Sequence, residues 1–296
     1  MINSSYQAYL CSRNVFNRGI FDLATARAVE TPNTHILVES DVGVAWLELL
    51  PWDTAVLGVP CGRVNALFSR AERWTTDHAL SLLELAQREL VRHGTEFVSC
   101  RITADVVALS DAFSRAGWLL RDALNVHAVS PQAVRRKGRR DEVIELSPAD
   151  LRGRFDEFAT SFEHGRLHRE PRIAHDRAVA FYRKLFESVA VADGAIRVGV
   201  QANGELVGFA IGVVDNLRQF LGTNVTYLWQ IGVRPAYRGR GLSTTLLHEF
   251  LERCDPDFPV EMDTAFDNPA ASTLGVRGGM RLVANAFTYH RWYPRA

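Results

Sequence analysis

The arrangement of residues 223–254 constrains the fold more than any other part of the sequence. An apolar, β-branched stretch covers 223–233, and a helical pattern begins at Leu242, with glycines at 239 and 241 in the short connection. The helix repeats apolar residues at a spacing that places them on one face, namely Leu246, Leu247, Phe250 and Leu251. With the apolar segment 260–264 that follows, the pattern predicts a β-α-β unit.

The turn of this unit has the composition of an anion site. Gly239 and Gly241 permit positive φ and close approach of the backbone. The following helix N-terminus directs amides and partial positive charge at one point, which suits a pyrophosphate. Arg238 and Arg240 add side-chain charge. A tight strand-to-helix turn without a ligand is the alternative.

Two similar halves are expected along the 296 residues, since about 150 residues is a typical domain length. One large domain of this size is the alternative. Predicted domains cover 1–130 and 143–296, joined by a linker at 131–142 that is rich in arginine and lacks hydrophobic periodicity. Phe113-Ser-Arg-Ala-Gly-Trp-Leu-Leu corresponds to Gly275-Val-Arg-Gly-Gly-Met-Arg-Leu, which indicates an internal duplication. The fold class is therefore mixed α/β (α+β).

Periodicity and turn residues predict most elements of both halves. Helices are expected at 77–93, 105–116 and 174–189, with a further helix that starts at Ser147 and carries Leu151, Phe155 and Phe158. Asn203-Gly204 predicts the turn of a β-hairpin.

Composition excludes several classes of function. Lys plus Arg and Asp plus Glu both number 34, so no basic field favours nucleic acid. Neither a signal peptide nor a membrane span is indicated, and we expect a cytoplasmic protein, monomeric or homodimeric. The four cysteines lack metal-ligand spacing, so no metal site is predicted.

Arg238-x-x-Gly241-x-Ser243, followed by Asp267-Asn-Pro-Ala-Ala and Gly279-Met-Arg-Leu, resembles the acyl-CoA signature and downstream segment of the GNAT N-acetyltransferases. The resemblance implies tandem GNAT-like folds, each a mixed central sheet flanked by helices, with the C-terminal copy complete. It also implies acetyl-CoA, or another acyl-CoA, as cofactor. The cofactor-binding residues it implies are Ile231, Gly232, Val233, Arg238, Gly239, Arg240, Gly241, Leu242, Ser243 and Asn268.

The family transfers the acyl group directly to an amine, but here Gly275 stands where the family usually has a tyrosine that protonates the thiolate. Three alternatives remain: Ser272 or Tyr289 donates the proton, water does, or the protein is not a catalyst. Gln230 stands where relatives often carry a glutamate base, and an amide cannot accept a proton at neutral pH. Glu261 and Asp263, expected on one face of the next strand, are the candidate bases.

The first half lacks glycine between 64 and 76, so we expect no pyrophosphate site there and regard this half as degenerate. Residues 50–63 resemble a region of the dTDP-fucosamine acetyltransferase-like proteins, which implies a nucleotide-linked amino sugar among the possible small-molecule amine acceptors. Candidate acceptor contacts are His168, Glu170, Arg172, Trp229 and Gln230. His168 is also a candidate base.

Several alternatives stay open for the acceptor side. A plain connecting loop is the alternative explanation for 166–173. Because alternate side chains of a strand face opposite sides, we expect one of Tyr227 and Trp229 in the core. Beside the amino-sugar hypothesis stand an antibiotic or peptide amine as acceptor, and an acyl-CoA-binding regulatory or scaffold protein without catalysis.

Overall fold

The computed structural model of the chain describes residues 16–70, 74–104, 106–133, 143–216 and 218–294. Contacts divide them into two compact units. Of the described residues, unit 1 contains 125–133, 143–168 and 179–283. Unit 2 contains the described residues between 16 and 124, together with 169–178 and 284–294.

The first half of the chain alternates strands and helices as its periodicity predicts. Its elements are α1 (Phe16–Glu30), β1 (His35–Glu39), β2 (Gly43–Leu49), α2 (Pro51–Leu57), β3 (Cys61–Ser69), α3 (Thr76–Arg92), β4 (Phe97–Thr103), α4 (Val107–Arg115) and β5 (Leu119–Val129). The five apolar residues predicted on one face of α3 are buried. The basic linker predicted at 131–142 lies, apart from a 3-10 turn at Pro131–Ala133, outside the described residues.

The second half contains the predicted hairpin and β-α-β unit. Its elements are β6 (Val143–Glu145), α5 (Pro148–Leu151), α6 (His175–Ala190), β7 (Ile196–Ala202), β8 (Glu205–Asp215), α7 (Arg218–Leu221), β9 (Val225–Val233), α8 (Leu242–Arg253), β10 (Val260–Ala265), α9 (Pro269–Arg277) and β11 (Arg281–Trp292), with 3-10 turns at Phe155–Ser161, Arg166–Arg169 and Pro235–Tyr237. Asn203 and Gly204 both have positive φ, at 53° and 78°, as a type I′ hairpin turn requires.

Each unit contains a mixed sheet. In unit 2 the order is β1-β2-β3-β4-β11, with β3 and β4 parallel and the other pairs antiparallel. In unit 1 the order is β5-β10-β9-β8-β7-β6, with β9 and β10 parallel and the pairs from β6 to β9 antiparallel. The mixed α/β prediction is confirmed.

The units do not follow the predicted boundaries 1–130 and 143–296. Residues 286–292 of β11 pair with β4 of unit 2, from Ala286 opposite Thr103 to Trp292 opposite Phe97. The segment 169–178 also belongs to unit 2. Each unit is therefore built from segments distant in sequence, which local periodicity does not predict.

The helix predicted after Ser147 is shorter than expected. Its start is correct, since Ser147 N donates to Asp150 Oδ2 at 2.7 Å. It ends at Leu151, and Gly153 has a positive φ of 73°, a conformation that an α-helix cannot continue through. Phe155 and Phe158 are buried, but in a 3-10 segment.

The two predicted repeats have the same local structure. Trp118 N donates to Phe113 O at 2.9 Å, and Met280 N donates to Gly275 O at 3.0 Å. Gly117 and Gly279, which follow the ends of α4 and α9, have positive φ of 74° and 86°. Both helices therefore end in the same capping motif, which is common at helix ends, and the duplication stays a prediction.

The core of unit 1 lies between its sheet and α8. Phe250, fully buried, packs with Leu228, Leu246 and Val260. A Cβ added at Gly212 would lie 2.3 Å from Phe250 Cζ, so the ring fills the space that this glycine leaves. The apolar face predicted for α8 is confirmed.

We predict that Phe250→Ala lowers the free energy of unfolding by about 3–5 kcal/mol, because it leaves a cavity that the sheet cannot close. Chemical denaturation measures this change. Val276→Ala, at a side chain 62% exposed, is the control and should change stability by less than about 0.5 kcal/mol. Equal effects of both substitutions would contradict the described core.

Candidate active site

Strands β9 and β10 separate part-way along their length. Their parallel register pairs Val260 with Thr226 and Glu261 with Tyr227, both near the start of β9. On the other edge of β9, Leu228 pairs with Gly212 of β8 but Gln230 pairs with Ile211. Trp229 is thus an extra residue, a β-bulge, which bends a strand. The bend coincides with the end of the β9–β10 pairing.

The bulge also shifts which residues of β9 face the helix α8. Leu228, Ile231 and Val233 belong to or pack on the core beneath α8. Gln230 faces the other way, where its Nε2 donates to Ser161 O at 3.1 Å. Without the extra residue, Gln230 would share the face of Leu228. The predicted pantetheine strand, Ile231 to Val233, thus follows directly after the bulge.

The glycine turn follows β9 and leads into α8. Gly239 and Gly241 have φ of 76° and 80°, and a Cβ at either would meet no atom within 4 Å. Gly241 is the N-cap of α8, and Thr245 N donates to Gly241 O at 3.1 Å. The amides before Thr245 open the helix, where no preceding turn supplies an acceptor. Backbone donors around Leu242 and Ser243 therefore face an unobstructed surface, as a bound anion requires.

The arginines of this turn hold its backbone in place. Arg238 donates from Nε to Val233 O at 3.0 Å and from Nη2 to Thr160 Oγ1 at 2.5 Å. Arg240 donates to Ala236 O at 3.2 Å, and its guanidinium lies 5.2 Å from the centre of the Tyr237 ring. Both arginines therefore stabilise the backbone of the turn, and their positive charge lies next to the glycines.

The candidate bases Glu261 and Asp263 lie on β10. Val260 and Met262 pack in the core with α8, so the two acids share the opposite face of the strand. Glu261 is 1% exposed and stands opposite Tyr227 at the last paired position, whereas Asp263 is half-buried. A carboxylate is thus present where the two strands begin to separate.

The candidate proton donors are in different units. The Ser272 hydroxyl is 2.9 Å from Thr264 Oγ1 and accepts from Asn125 Nδ2 at 3.2 Å, within unit 1. Tyr289 is 4% exposed in the core of unit 2, where its ring stacks on Phe113 at 5.0 Å. The prediction of Tyr289 as an acid is not supported, because a core ring of this kind is explained by packing.

At Gly275 there is no room for a large side chain. A Cβ there would lie 2.8 Å from Met262 Cε and 3.4 Å from His127 Cγ. His127 is 2% exposed, and burial lowers its pKa, an effect opposed by the Asn125 backbone. Sequence reasoning missed this histidine, since β5 was read only as an apolar strand. The absence of a side chain at Gly275 was the available signal.

The acceptor segment 168–172 is divided between the units. His168 belongs to unit 1 and stacks on Tyr182 at 5.0 Å, while Glu170 and Arg172 belong to unit 2. The Arg172 guanidinium lies 4.4 Å from the centre of the Trp292 ring. The three residues are therefore close in sequence but are not described as one site, because they belong to different units.

Glu170, which the sequence predicts as an acceptor contact, lies in a buried ion pair, and its contact with an acceptor stays a prediction. Its Oε2 is 2.9 Å from His290 Nδ1 and accepts from Arg121 Nε at 3.1 Å. Burial by itself would raise the pKa of Glu170, but the hydrogen bond and charge of His290 and the charge of Arg121 lower that pKa to about 2. The carboxylate joins three chain segments of unit 2, because Arg121 comes from the first part of β5, which belongs to unit 2 up to residue 124, and His290 comes from β11.

Trp229 and Tyr227 lie side by side, with ring centres 5.5 Å apart. The expectation that one of the two lies in the core is met by Tyr227, which is 4% exposed, although the two rings are in contact and do not lie on opposite sides of the strand. Tyr227 is buried and Trp229 partly exposed. Trp229 Nε1 is buried and has no hydrogen-bond partner among the described residues, which leaves an indole donor at the bulge.

Asn268, predicted to bind the cofactor, has a structural role as well. Its Oδ1 accepts from Ala271 N at 3.1 Å and caps α9. Among the described residues, no group of three potential metal-ligating side chains occurs, and no helix has the length and apolarity to cross a membrane.

Comparison with known proteins identifies the region that contains this site. Residues 166–272 match the model of the acetyltransferase (GNAT) family. The L-2,4-diaminobutyric acid acetyltransferases of Nocardia farcinica (strain IFM 10152) and Marinococcus halophilus are each 33% identical over 79 residues, or 26% of this chain. The alignments span 39% and 44% of those relatives, so the chain matches less than half of their length.

Solved structures resemble the chain over most of its length. A GCN5-related N-acetyltransferase from Kribbella flavida gives a TM-score of 0.56 at 12% identity and covers 91% of this chain and 94% of its own. A tandem GNAT protein from the clavulanic acid biosynthesis pathway gives 0.57 at 17% identity, covering 93% and 89%. At these identities the likeness shows a shared fold and nothing beyond it.

We predict that acid weakens unit 2 through Glu170. A carboxyl whose pKa is lowered by folding stabilises the protein fully above its unfolded value, here 4.5, and loses that contribution as pH falls toward about 2. The contribution is about 3 kcal/mol. Glu170→Gln should remove it at neutral pH, as shown by chemical denaturation between pH 3 and 7.

The matched control is Glu39→Gln, which removes an exposed ion pair with Arg70 in the same unit. An exposed pair contributes at most about 1 kcal/mol. The buried network would be refuted if Glu170→Gln unfolded at the same denaturant concentration as Glu39→Gln at every pH.

Proposed function

We propose that this chain, whose residues 166–272 match the model of the acetyltransferase (GNAT) family, transfers an acetyl group from acetyl-CoA to a primary amine of a small molecule. The observation that carries the proposal is the separation of β9 from β10 beside the glycine turn of α8. Ligands of open α/β sheets bind at the carboxyl ends of parallel strands, which is where these two features meet.

The turn and the strand divergence suit different parts of acyl-CoA. The open amides at Gly239 to Ser243 match a pyrophosphate, with Arg238 and Arg240 adding positive charge beside it. From there the extended pantetheine would follow Ile231 to Val233, whose backbone pairs with β8 on one edge only. The thioester would then reach the bulge at Trp229, where the strands separate.

Reaction requires the amine nitrogen to attack the thioester carbonyl. The C–N bond forms, the C–S bond breaks, the nitrogen loses a proton and the thiolate gains one. Positioning accounts for much of such a rate enhancement. Glu261, at the divergence and on the face away from α8, is placed to take the nitrogen's proton directly or through water. An acceptor would then approach from the face of Glu261 and Gln230.

The acceptor class is a small-molecule amine. The diaminobutyric acid acetyltransferases that match 79 residues of the chain favour an amino-acid amine, and the sequence resemblance to amino-sugar enzymes favours a nucleotide-linked amino sugar. Trp229 offers an indole N–H, which binds acceptor groups such as carboxylate or hydroxyl oxygens. Both amine classes contain such oxygens, so both belong in an acceptor screen.

A second candidate function is acyl-CoA binding without turnover. Gly275 supplies no side chain at the position where the family resemblance implies a proton donor, and Met262 occupies the adjacent space. A protein of this kind would bind acetyl-CoA but release no CoA above the hydrolysis rate with any amine. Binding and turnover measurements on the same preparation separate the two functions.

We predict that Gly241→Glu abolishes acetyl-CoA binding. The substitution places a carboxylate at the proposed pyrophosphate site and strains a residue with φ of 80°. Calorimetry should detect binding to the wild type only. Ligand at 100 times its dissociation constant should stabilise the wild type by about 2.7 kcal/mol and leave the variant unchanged.

Gly204→Glu is the matched control, because Gly204 also has positive φ, at 78°, and no atom within 4 Å of an added Cβ. It therefore imposes the same backbone strain in the β7–β8 hairpin. Undiminished binding by Gly241→Glu, or absence of binding by a folded wild type, would overturn the proposed cofactor site.

We predict that Glu261→Gln lowers kcat by about 10²-fold, the usual effect of losing a general base, while the Kd for acetyl-CoA stays unchanged. Thiol release with the active acceptor measures the first quantity and calorimetry the second. Asp263→Asn, on the same face and less buried, is the comparison. A larger loss in Asp263→Asn would assign the base to Asp263 instead.

A further inference from the structure

His127 is a buried histidine that the fold does not explain. It is 2% exposed, and its Nδ1 is buried without a hydrogen bond to any described residue. The backbone of Asn125 opposes the effect of burial on the pKa of His127, but it leaves Nδ1 without a partner. A buried polar atom without a partner is costly and rare, and a ligand is one way to satisfy it.

The position of His127 follows from its neighbours. Its Cγ and Met262 Cε are the side-chain atoms nearest to a Cβ added at Gly275, at 3.4 and 2.8 Å. Met262 comes one residue after Glu261, where the β9–β10 pairing ends. His127 therefore lies at the level where the two strands separate, one strand away from the opening.

The contacts of Met262 also define the face of the sheet on which His127 lies. Met262 packs with Leu246 and Leu247 of α8, so His127 lies on the side of the sheet that carries α8 and its glycine turn. Glu261 lies on the opposite side. If the cofactor is bound by that turn, its sulfur reaches the divergence from the side of His127, and the acceptor amine from the side of Glu261.

Building on the proposed function, we propose that the imidazole of His127 donates a hydrogen bond to the cofactor sulfur and stabilises the thiolate as it leaves. Gly275 of α9 allows this interaction because it has no side chain. The ring of His127 can therefore lie close to α9, with Cγ 3.4 Å from the position of a Cβ at Gly275. A neutral imidazole carries one N–H, so the interaction needs no charge on the histidine. Burial, which lowers its pKa, maintains that neutral form.

Ser272 is less suited to this role. Its hydroxyl already lies 2.9 Å from Thr264 Oγ1 and accepts from Asn125 Nδ2. A hydroxyl has one proton to donate, and turning it toward the sulfur would break the contact with Thr264 if Ser272 is its donor. Among the described residues, the Nδ1 atom of His127 has no hydrogen-bond partner that would compete.

The test uses CoA itself, so it does not depend on knowing the acceptor. A hydrogen bond to the thiolate lowers the pKa of the bound thiol, which ultraviolet absorbance of the thiolate reports in a pH titration of the enzyme–CoA complex. We expect this pKa to be about one unit higher in His127→Leu than in the wild type. Calorimetry should show the same CoA affinity at a pH where the thiol is protonated.

Three further variants sharpen the result. His127→Gln keeps an N–H donor and should restore part of the effect. Ser272→Ala tests the competing donor, and His248→Gln, a histidine on α8, controls for loss of any histidine from unit 1 and should titrate like the wild type. With an active acceptor, kcat should fall about tenfold in His127→Leu, matching the change of one pKa unit.

The outcomes separate this inference from the proposed function. A wild type that does not bind CoA removes the cofactor site and the inference with it. A wild type that binds CoA, together with His127→Leu whose bound thiol titrates at the wild-type pH, overturns the inference alone. So does a change in the thiol pKa caused by Ser272→Ala but not by His127→Leu. If His127→Leu fails to fold, the comparison of His127→Gln with Ser272→Ala decides between the same outcomes.

Discussion

The chemistry of unit 1 depends on one constraint, the end of the β9–β10 pairing after Tyr227 and Glu261. Backbone groups in a sheet must be paired, so two strands can separate only where something else fills the gap or binds the edge. The extra residue Trp229 turns β9 aside at that point, and the glycine turn of α8 places helix amides beyond it. The separation of the strands and the proposed ligand site therefore arise from the same irregularity.

Unit 2 depends on a different interaction, the buried carboxylate of Glu170. A buried charge is tolerated only with close partners of opposite charge, and here Arg121 and His290 supply them from two other segments. Arg169 adds a second ion pair, with Asp122 at 2.8 Å. Segment 169–178 thus belongs to unit 2 through ion pairs, whereas residues 286–292 join it through backbone pairing with β4.

Sequence reasoning succeeded where the signal is local. The glycines at 239 and 241, the apolar face of α8 and the Asn203-Gly204 hairpin each depend on neighbours within a few residues. It does not reach the features that burial and strand pairing decide. The sequence around Glu170 does not indicate whether its carboxylate binds an acceptor or an arginine. The sequence around Tyr289 does not indicate that its ring lies in the core of unit 2. Nothing near residue 290 indicates that β11 pairs with β4.

The two faces of the β9–β10 opening explain why the role proposed for Glu261 could be predicted from the sequence and the role proposed for His127 could not. Glu261 was a candidate because carboxylates are recognisable bases, and strand alternation already separated it from the apolar face. His127 became visible only when Gly275, Met262 and β5 were seen together. In the proposal, the side chain that Gly275 lacks on α9 is replaced by His127 on β5. These two residues become neighbours only in the folded chain. Where a sequence departs from its family at a functional position, the space left by the departure is therefore the first place to look for the replacing group.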